Sequence, residues 1–373
     1  MSSSTDGLPL SRPPVRTVHL VYPHGDRISA PDSIGRHLGE HLASRYEVKL
    51  HDWDAGSVIR GDSQSVLVGH AHPDPCTVFR RSAREPGWRR VLAMSPYNGD
   101  LRQIAFLDDV IPRCDRFLAI TGSYWYERLP QSRVAHWGPK TVHMDMAVDR
   151  HDFPPLGRTW NAIGKRRIVY IGHTAWMKNT GYLSEIAAQM PETSFAWIGS
   201  GEDISGVQRL GQLDFSLPDS RLALSAFDFV ISVSTADANP TTILEAMAWG
   251  LIPVCTPESG YAGIRSIPNI PLAAPAKAAE FLRELLSLDA DQLDGLQRAN
   301  WQLLDSHFNW KRFSAQLVDE IESDVSPPLG PQSVRQRFSL RRIAWTSPYS
   351  PWRRRIAKVA TAPARRWLLG PRS

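Results

Sequence analysis

The sequence predicts an α/β protein made of two doubly wound, Rossmann-like domains that face a common cleft. The chain has 373 residues, which is long for one domain and comfortable for two. Apolar strand-like segments alternate with helical segments in both halves, a pattern typical of parallel sheets covered by helices on both faces. A loop-like stretch with two prolines and two glycines, residues 147–164, separates the halves.

The first half predicts a domain over residues 15–150. Its one clear helix, residues 33–44, carries Ile34, Leu38 and Leu42 at four-residue spacing. Six short apolar runs are predicted as strands: Thr17–Tyr22, Tyr46–Leu50, Ser65–Val68, Val91–Met94, Phe117–Ile120 and Val142–Met144.

The second half repeats the alternation and predicts a domain over residues 151–323. Its predicted strands are Arg167–Ile171, Phe195–Ile198, Phe229–Val233 and Ile252–Cys255. Its predicted helices are Gly181–Met190, Thr241–Trp249, Ala276–Leu288 and Ala290–Leu304.

Composition excludes several classes of protein. Hydrophobic residues make up 42% and charged residues 22%, which is enough apolar material for sizeable cores. The three cysteines form no C-x-x-C pair, so neither a zinc ribbon nor a redox pair is indicated. Residues 1–14 are rich in Ser and Pro and are predicted to be disordered, not a secretory signal. With no apolar run long enough to span a bilayer, we expect a cytoplasmic protein, free or held at the cytoplasmic face of a membrane.

Positive charge is concentrated at the end of the chain. Residues 325–373 contain eleven Arg and Lys residues and no Asp or Glu, whereas the whole chain has a formal net charge of +5. The part before them therefore carries −6, which gives little support to nucleic-acid binding by the body. We assign residues 324–373 to a basic tail outside the core.

Three interpretations of this tail remain open. Trp352 and Ile356 share one side of a predicted helix flanked by Arg353 and Lys358, and Trp367 follows. Such a segment could lie on an anionic membrane surface. The alternative is a disordered solubilising tail. Nucleic-acid binding is the third interpretation, with no recognised module before it.

The window from Asp237 to Cys255 carries the functional argument. Asn239 is predicted as the N-cap of a helix, and Pro240 is placed for its first position. Thr241 and Thr242 then present N–H groups and hydroxyls at a free helix N-terminus, which attracts phosphate. The helix is predicted to end at Gly250, before a strand. Such a loop lies at the carboxyl edge of a sheet, where open α/β sheets bind ligands.

Glu245 has two interpretations from its position in this window. About two turns beyond Asp237, its carboxylate could accept hydrogen bonds from the two hydroxyls of a ribose. Alternatively, Glu245 is a solvated helix charge and Asp237 an ordinary loop residue.

The same window resembles the signature of retaining glycosyltransferases of the GT-B fold, in group 1 (family 4). That signature is Glu, seven residues, then Glu-Ala-Met-Ala-x-Gly-x-Pro-Val. Here Asp237 replaces the first Glu, and one residue is inserted before the Pro. Further segments match over residues 145–322: Gly172 with Lys178, the turn from Gly199 to Gly201, Pro257–Gly260, and Ala147–Asp149 with Phe153 and Pro155.

The resemblance implies roles for individual residues. Lys178 would contact the donor diphosphate, Glu245 the ribose, and Asp237 would lie near the transferred sugar. The glycine turns and the N–H groups of the helix start would cradle the phosphates; these residues are Gly172, Gly199, Gly201, Asn239, Thr241 and Thr242. His173 stands where the family has Arg, so it replaces a permanent cation with one that titrates near neutrality.

In the first domain the resemblance is thinner. Gly25 resembles the glycine-rich first loop that lies near the donor phosphates, although only one glycine of the usual pair is present. Family members often have a histidine that faces the transferred sugar, and His70 and His72 follow the third predicted strand. A packed histidine is an equal interpretation of either residue.

No metal site is predicted. His70 and His72 would need a third ligand, for which only Asp74 offers itself. Asp52-Trp53-Asp54 is formally a D-x-D motif, which we interpret as a solvated loop because acidic residues are common at surfaces.

The sequence therefore predicts an enzyme that moves a sugar, with retention, from a nucleotide-diphosphate sugar to a glycan, a lipid-linked or a small-molecule acceptor. No cofactor is expected beyond the donor substrate, and no nucleic-acid partner. The helix around residues 310–321 is expected to cross back to the first domain, as in relatives. Two alternatives remain: a non-catalytic nucleotide-sugar-binding scaffold of the same fold, and a hydrolase or epimerase of nucleotide sugars.

Overall fold

The computed structural model describes residues 14–23, 29–73, 76–157, 159–272 and 274–346. Within them, two parallel sheets form the centres of two domains. The predicted tail segment around Trp352, residues 1–13 of the N-terminus that was predicted to be disordered, and the loop with Gly25 lie outside the described residues.

The first domain is built on a six-stranded sheet in the order β2-β1-β3-β4-β5-β6, with every neighbouring pair parallel. All six predicted strands are present: β1 (Thr17–Val21), β2 (Glu47–His51), β3 (Ser65–Gly69), β4 (Arg90–Pro96), β5 (Arg116–Ile120) and β6 (Thr141–Met144). β1 and β3 are buried throughout, as expected for central strands with helices on both faces.

Four helices connect these strands: α1 (Ala30–Ala43), α2 (Val78–Ser82), α3 (Leu101–Val110) and α4 (Gly122–Arg128). The apolar residues that predicted α1 from their spacing, Ile34, Leu38 and Leu42, are buried in the core. Ser29 caps the helix by accepting a hydrogen bond from the Asp32 N–H.

The second domain has a five-stranded sheet in the order β11-β10-β7-β8-β9. Its strands are β7 (Arg167–Ile171), β8 (Ser194–Ile198), β9 (Gln208–Gly211), β10 (Phe229–Ser232) and β11 (Ile252–Cys255). Its helices are α5 (Thr180–Gln189), α6 (Pro218–Leu224), α7 (Thr241–Trp249), α8 (Pro275–Leu286) and α9 (Ala290–Ser306). β9 and α6 had no counterpart in the sequence prediction.

The chain then returns to the first domain through α10 (Trp310–Glu322), as predicted. Trp310 stacks on His37 of α1 with ring centroids 4.5 Å apart. Near the other end of the helix, Glu322 accepts a 2.6 Å hydrogen bond from the Tyr46 hydroxyl. α10 therefore belongs to the core of the first domain, although 165 residues of chain separate its start from the end of β6 at Met144.

The residues that follow correct the prediction of a tail outside the core. A last helix, α11 (Val334–Thr346), packs on α3, and its Leu340 and Ile343 are buried in the same apolar cluster as Ile104 and Leu107. The sequence reasoning missed this because its argument rested on Pro, Ser and Arg content, and two buried residues on one helix face leave little compositional signal. None of the helices in the described residues is long and apolar enough to cross a bilayer.

Candidate functional site

The second sheet reverses its strand order at β7, which lies between β8 and β10. The loops after β7 and β10 therefore leave the carboxyl edge side by side, and open α/β sheets bind ligands in such a crevice. Both loops carry residues predicted for donor binding or, in the case of Asp237, for a place near the transferred sugar. After β7 these are Gly172, His173 and Lys178; after β10 they are Asp237, Asn239, Thr241 and Thr242.

Two glycine turns form one wall of this crevice. The N–H of Gly172, at the end of β7, donates to the Ile198 carbonyl at the end of β8. A Cβ on Gly199 would lie 1.9 Å from the Gly172 oxygen, and one on Gly201 would lie 1.9 Å from the Thr174 hydroxyl. Gly199 and Gly201 also have φ values of 154° and 126°, which disfavour other residues. The predicted turns thus pack directly on each other and leave backbone at the surface of the crevice.

An ion pair between Lys178, after β7, and Asp237, after β10, joins the two loops of the crevice. Lys178 ends a single 3₁₀ turn, residues 176–178, and Asp237 lies in the loop before α7. The Thr235 N–H donates to the Met177 carbonyl at 2.9 Å, which fixes one loop to the other. Each of the paired side chains is only 15% exposed, so their attraction is weakly screened by water.

The start of α7 lies next to this pair. The helix covers Thr241–Trp249 and ends at Gly250 with φ 94°, as predicted. The prediction that Asn239 is its N-cap is wrong, because Pro240 holds that position. Asn239 has φ 58°, is buried, and uses its Oδ1 to accept a 2.5 Å hydrogen bond from the N–H of Met146. Its side chain therefore joins the donor loop to the first domain and does not cap the helix.

Glu245 lies one turn into α7 and is partly buried. Burial raises the pKa of its carboxyl to about 7, although the hydroxyl of Thr241 opposes part of this effect. Burial makes ionisation costly, which does not fit the interpretation of Glu245 as a solvated helix charge. A polar ligand that donates hydrogen bonds to this carboxylate would favour its charged form.

His173 does not supply the titrating cation that the sequence suggested. Its ring Nδ1 accepts a 3.1 Å hydrogen bond from the N–H of Ala175, a geometry that requires this nitrogen to be unprotonated. Desolvation, followed by the charge of Lys178, lowers the pKa of His173 below its usual value. At neutral pH the residue is therefore uncharged, and Lys178 is the cation that this loop brings to the crevice.

His70 and His72 follow β3, which is the neighbour of β4 in the first sheet. His70 is buried, and its ring lies 5.4 Å from Trp53 and 5.2 Å from His72, between centroids. Burial lowers the pKa of His70 to about 3 and also lowers that of His72. Among the described residues, the hydrogen bonds and ring contacts of both histidines lie within the first domain.

The first domain holds the donor loop in place through residues that the sequence analysis missed. The side-chain amide of Asn98, after β4, donates to the Ala236 carbonyl at 2.7 Å. The indole N–H of Trp125, in α4, donates to the carbonyls of Asp237 and Glu258 at 3.3 and 3.0 Å. The position of both residues after the carboxyl ends of strands is the one signal that could have indicated them.

A groove of about 460 Å³ crosses the domain boundary beside these contacts. Trp125, Ala236 and Trp176 line it, and the last two precede Asp237 and Lys178 closely in sequence. Arg102 also lines the groove; its guanidinium lies 4.5 Å from the centre of a Trp176 ring and pairs with Asp100. The groove thus lies between the first domain and the two loops that carry the ion pair. In the described part of the chain, no three His, Cys, Asp or Glu side chains cluster as metal ligands.

Comparisons with known proteins identify the fold. A scan against protein-family models found no match, and neither did a search of curated proteins. Among solved structures, the chain is similar to a sucrose-phosphate synthase from Thermosynechococcus elongatus, at 14% identity and a TM-score of 0.60, over 82% of this chain and 98% of that one. It is also similar to a UDP-forming α,α-trehalose-phosphate synthase from Burkholderia xenovorans, at 7% identity and a TM-score of 0.60, over 83% and 100%.

A third similar structure is an α-glucosyltransferase in complex with UDP and a 13-mer DNA containing a HMU base. It has 12% identity and a TM-score of 0.54, over 83% of this chain and 100% of that one. At these identities the likeness concerns the fold, and it confirms the predicted class. The chain has the GT-B fold of glycosyltransferases, with two Rossmann-like domains.

Proposed function

We propose that this protein is a glycosyltransferase that takes a nucleotide-diphosphate sugar as donor and transfers the sugar with retention and without a metal. The observation that carries the proposal is the Lys178–Asp237 pair at the strand-order reversal of the second sheet, beside the N-terminus of α7. The acceptor is proposed to be a glycan, a lipid-linked or a small-molecule hydroxyl compound. Such transfer would belong to polysaccharide biosynthesis at the cytoplasmic face of a membrane.

The diphosphate would bind between Lys178 and the first turn of α7. The N–H groups of Thr241 and Thr242 lack intrahelical acceptors by their position, and the helix dipole adds positive potential there. An ammonium has three donors, so Lys178 can hold a phosphate while it keeps Asp237. The glycine turns at residues 172 and 199–201 give the phosphates access to backbone.

The nucleoside ribose would bind over Glu245. Two vicinal hydroxyls donating to one carboxylate would return part of the free energy lost on ionising this partly buried group. The solved neighbour that contains UDP supports a nucleoside diphosphate as the ligand class.

The chemistry would then follow from charge. As the sugar–phosphate bond breaks, negative charge grows on the departing phosphate, and Lys178 and the α7 dipole would stabilise it. Asp237 would lie near the sugar, where positive charge develops. His70 and His72 would approach the sugar from the first domain; because His70 stays neutral, it would act as a hydrogen-bond partner and not as an acid.

A thermal-shift screen with UDP, GDP, ADP, dTDP and CMP tests the donor site. A ligand that binds only the folded state at about 100 times its Kd stabilises it by about 2.7 kcal/mol. We expect one nucleotide to shift the wild type and not Glu245→Ala. Shifts that are equal in the two proteins, or absent with all five ligands, would overturn the donor-site assignment.

One observation favours a second candidate, a non-catalytic nucleotide-sugar-binding protein. His173 is neutral where relatives carry a permanent cation, so the crevice holds less positive charge. If this candidate is correct, wild-type protein binds nucleotide without turnover, and the double variant His173→Arg with Asp237→Glu gains activity. Release of sugar from the donor without any acceptor would indicate the hydrolase alternative.

A further inference from the structure

The last described helix, α11, has apolar residues on two opposite sides. Leu340 and Ile343 face inward and are buried against α3. The Arg133 side chain also donates a 3.2 Å hydrogen bond to the Ser339 hydroxyl, which fixes the helix to the loop after α4. The inner side thus accounts for the attachment of α11 to the first domain.

The outer side is apolar as well, yet it is covered by nothing in the described structure. Val334, Phe338 and Trp345 are 70%, 66% and 62% exposed. Their spacing of four and seven residues, continued through Arg341, places them in one row along the helix. Scattered exposed apolar residues are ordinary, but a row of three large ones on one helix face indicates a binding surface.

Charge restricts what this surface can bind. α11 contains four exposed arginines, Arg335, Arg337, Arg341 and Arg342, and no acidic residue. Arg337 and Arg342 fall on opposite flanks of the apolar row by helical geometry. An apolar row with Trp and Phe, flanked by cations on both sides, is the pattern of helices that lie in the interface of anionic bilayers.

We propose that the outer face of α11 binds an anionic lipid bilayer, and that this contact brings the interdomain groove to an acceptor carried by the same bilayer. The second part rests on the proposed glycosyl transfer, whereas the first part does not. The arginines would face lipid phosphates, while Phe338 and Trp345 would enter the region between headgroups and acyl chains.

Two neighbouring grooves connect the proposed bilayer contact with the proposed delivery of an acceptor. A groove of about 530 Å³ lies beside Phe338, Arg342 and Leu101, the first residue of α3. Leu101 also lines the groove of about 460 Å³, whose other side is formed by Trp176 and Ala236 in the loops that carry the ion pair. The same exposed leucine therefore borders both grooves, and a lipid-linked chain held at α11 would have a route to the crevice.

Vesicle sedimentation of the full-length protein, without nucleotide, tests the bilayer contact. We expect sedimentation with vesicles of phosphatidylcholine and phosphatidylglycerol, a decrease as salt rises above about 0.1 M, and little sedimentation with phosphatidylcholine alone. Phe338→Glu should weaken binding to the anionic vesicles at least tenfold. Leu222→Glu is the matched control, because Leu222 in α6 is also 66% exposed but lies on the second domain.

Several results would overturn the proposal. One is equal binding of wild type, Phe338→Glu and Leu222→Glu to anionic vesicles. A second is a wild-type dimer in light scattering that Phe338→Glu dissociates, since the surface would then join two copies of the chain. A third is α11-dependent binding to an RNA or DNA oligonucleotide with no binding to vesicles.

The readouts separate this inference from the proposed function. Phe338→Glu should keep the wild-type melting temperature, because the Phe338 side chain is exposed. It should also keep the wild-type nucleotide-induced thermal shift, because α11 packs on α3 of the first domain and the proposed donor site lies at α7 of the second. If no nucleotide shifts the melting temperature of the wild type or of either variant, the donor-site assignment is overturned and the vesicle result remains valid. Equal turnover of a lipid-linked acceptor in vesicles by Phe338→Glu and wild type would overturn the second part alone.

Discussion

Replacing Glu245 by Gln should stabilise the folded protein while it removes nucleotide binding. Burial raises the pKa of this carboxyl from 4.5 to about 7. At 1.36 kcal/mol per pH unit, ionising it in the folded state costs about 3 kcal/mol more than in the unfolded chain. The carboxyl is only partly buried, so water screens part of this cost, and we expect a gain of about 2 kcal/mol in Glu245→Gln at pH 8.

The sign of the pH dependence follows from the direction of the shift. Between pH 4.5 and 7 the folded state keeps the proton that the unfolded chain has already lost. The wild type therefore loses stability as pH rises through this interval, and the loss levels off above pH 7. Glu245→Gln has no such proton, so the two proteins should be about equally stable near pH 5 and diverge toward pH 8.

Urea unfolding at pH 5, 6, 7 and 8 measures this difference, with Glu284→Gln as a control on the exposed side of α8. The control should stay within about 0.5 kcal/mol of the wild type. The reasoning fails if Glu245→Gln is less stable than the wild type at pH 8, or if the difference does not change with pH. A variant that is both more stable and unable to bind nucleotide indicates a residue kept for function.

Three further predictions concern other parts of the molecule. Lys178→Met should remove the nucleotide-induced thermal shift and cost about 1–3 kcal/mol, because Asp237 loses its partner; adding Asp237→Asn should restore the melting temperature but not binding. Gly199→Ala should cost more than about 2 kcal/mol in urea unfolding, whereas Gly181→Ala, with open space around it, should stay within about 1 kcal/mol; equal effects would contradict the packed turn. Leu340→Ala should cost about 2–4 kcal/mol by the same measurement. An unchanged free energy of unfolding would indicate that α11 lies outside the core.

The sequence predicted elements best where local signals mark both of their ends. α7 was predicted to begin at Thr241 and end at Trp249, as observed, because a proline precedes it and a glycine with positive φ follows it. β9 was missed for the opposite reason. β9 has four residues, none of them fully buried, so it shows no apolar alternation.

In the site, the sequence predicted which residues lie near one another but not how each is used. Asn239 looked like a cap because its type favours that position, yet its partner is the backbone of Met146, 93 residues away. Neither residue propensity nor local spacing can reveal a partner so far away in the sequence. The neutral state of His173 likewise depends on its desolvation, on the nearby charge of Lys178 and on the hydrogen bond from Ala175, which no pattern of residue types reveals.

The return of the chain through α10 and α11 has a consequence for biosynthesis. The sheet of the first domain is complete in sequence at Met144, but its core also needs Phe313 and Leu317 of α10 and Leu340 of α11. The second domain, in contrast, has its strands and helices in one continuous stretch. As the chain leaves the ribosome, the second domain can therefore fold first, and the first domain keeps an open apolar face until α10 and α11 have been synthesised. Domains usually fold in the order of synthesis; here the order would be inverted, and the unfinished first domain would be the species that chaperones meet.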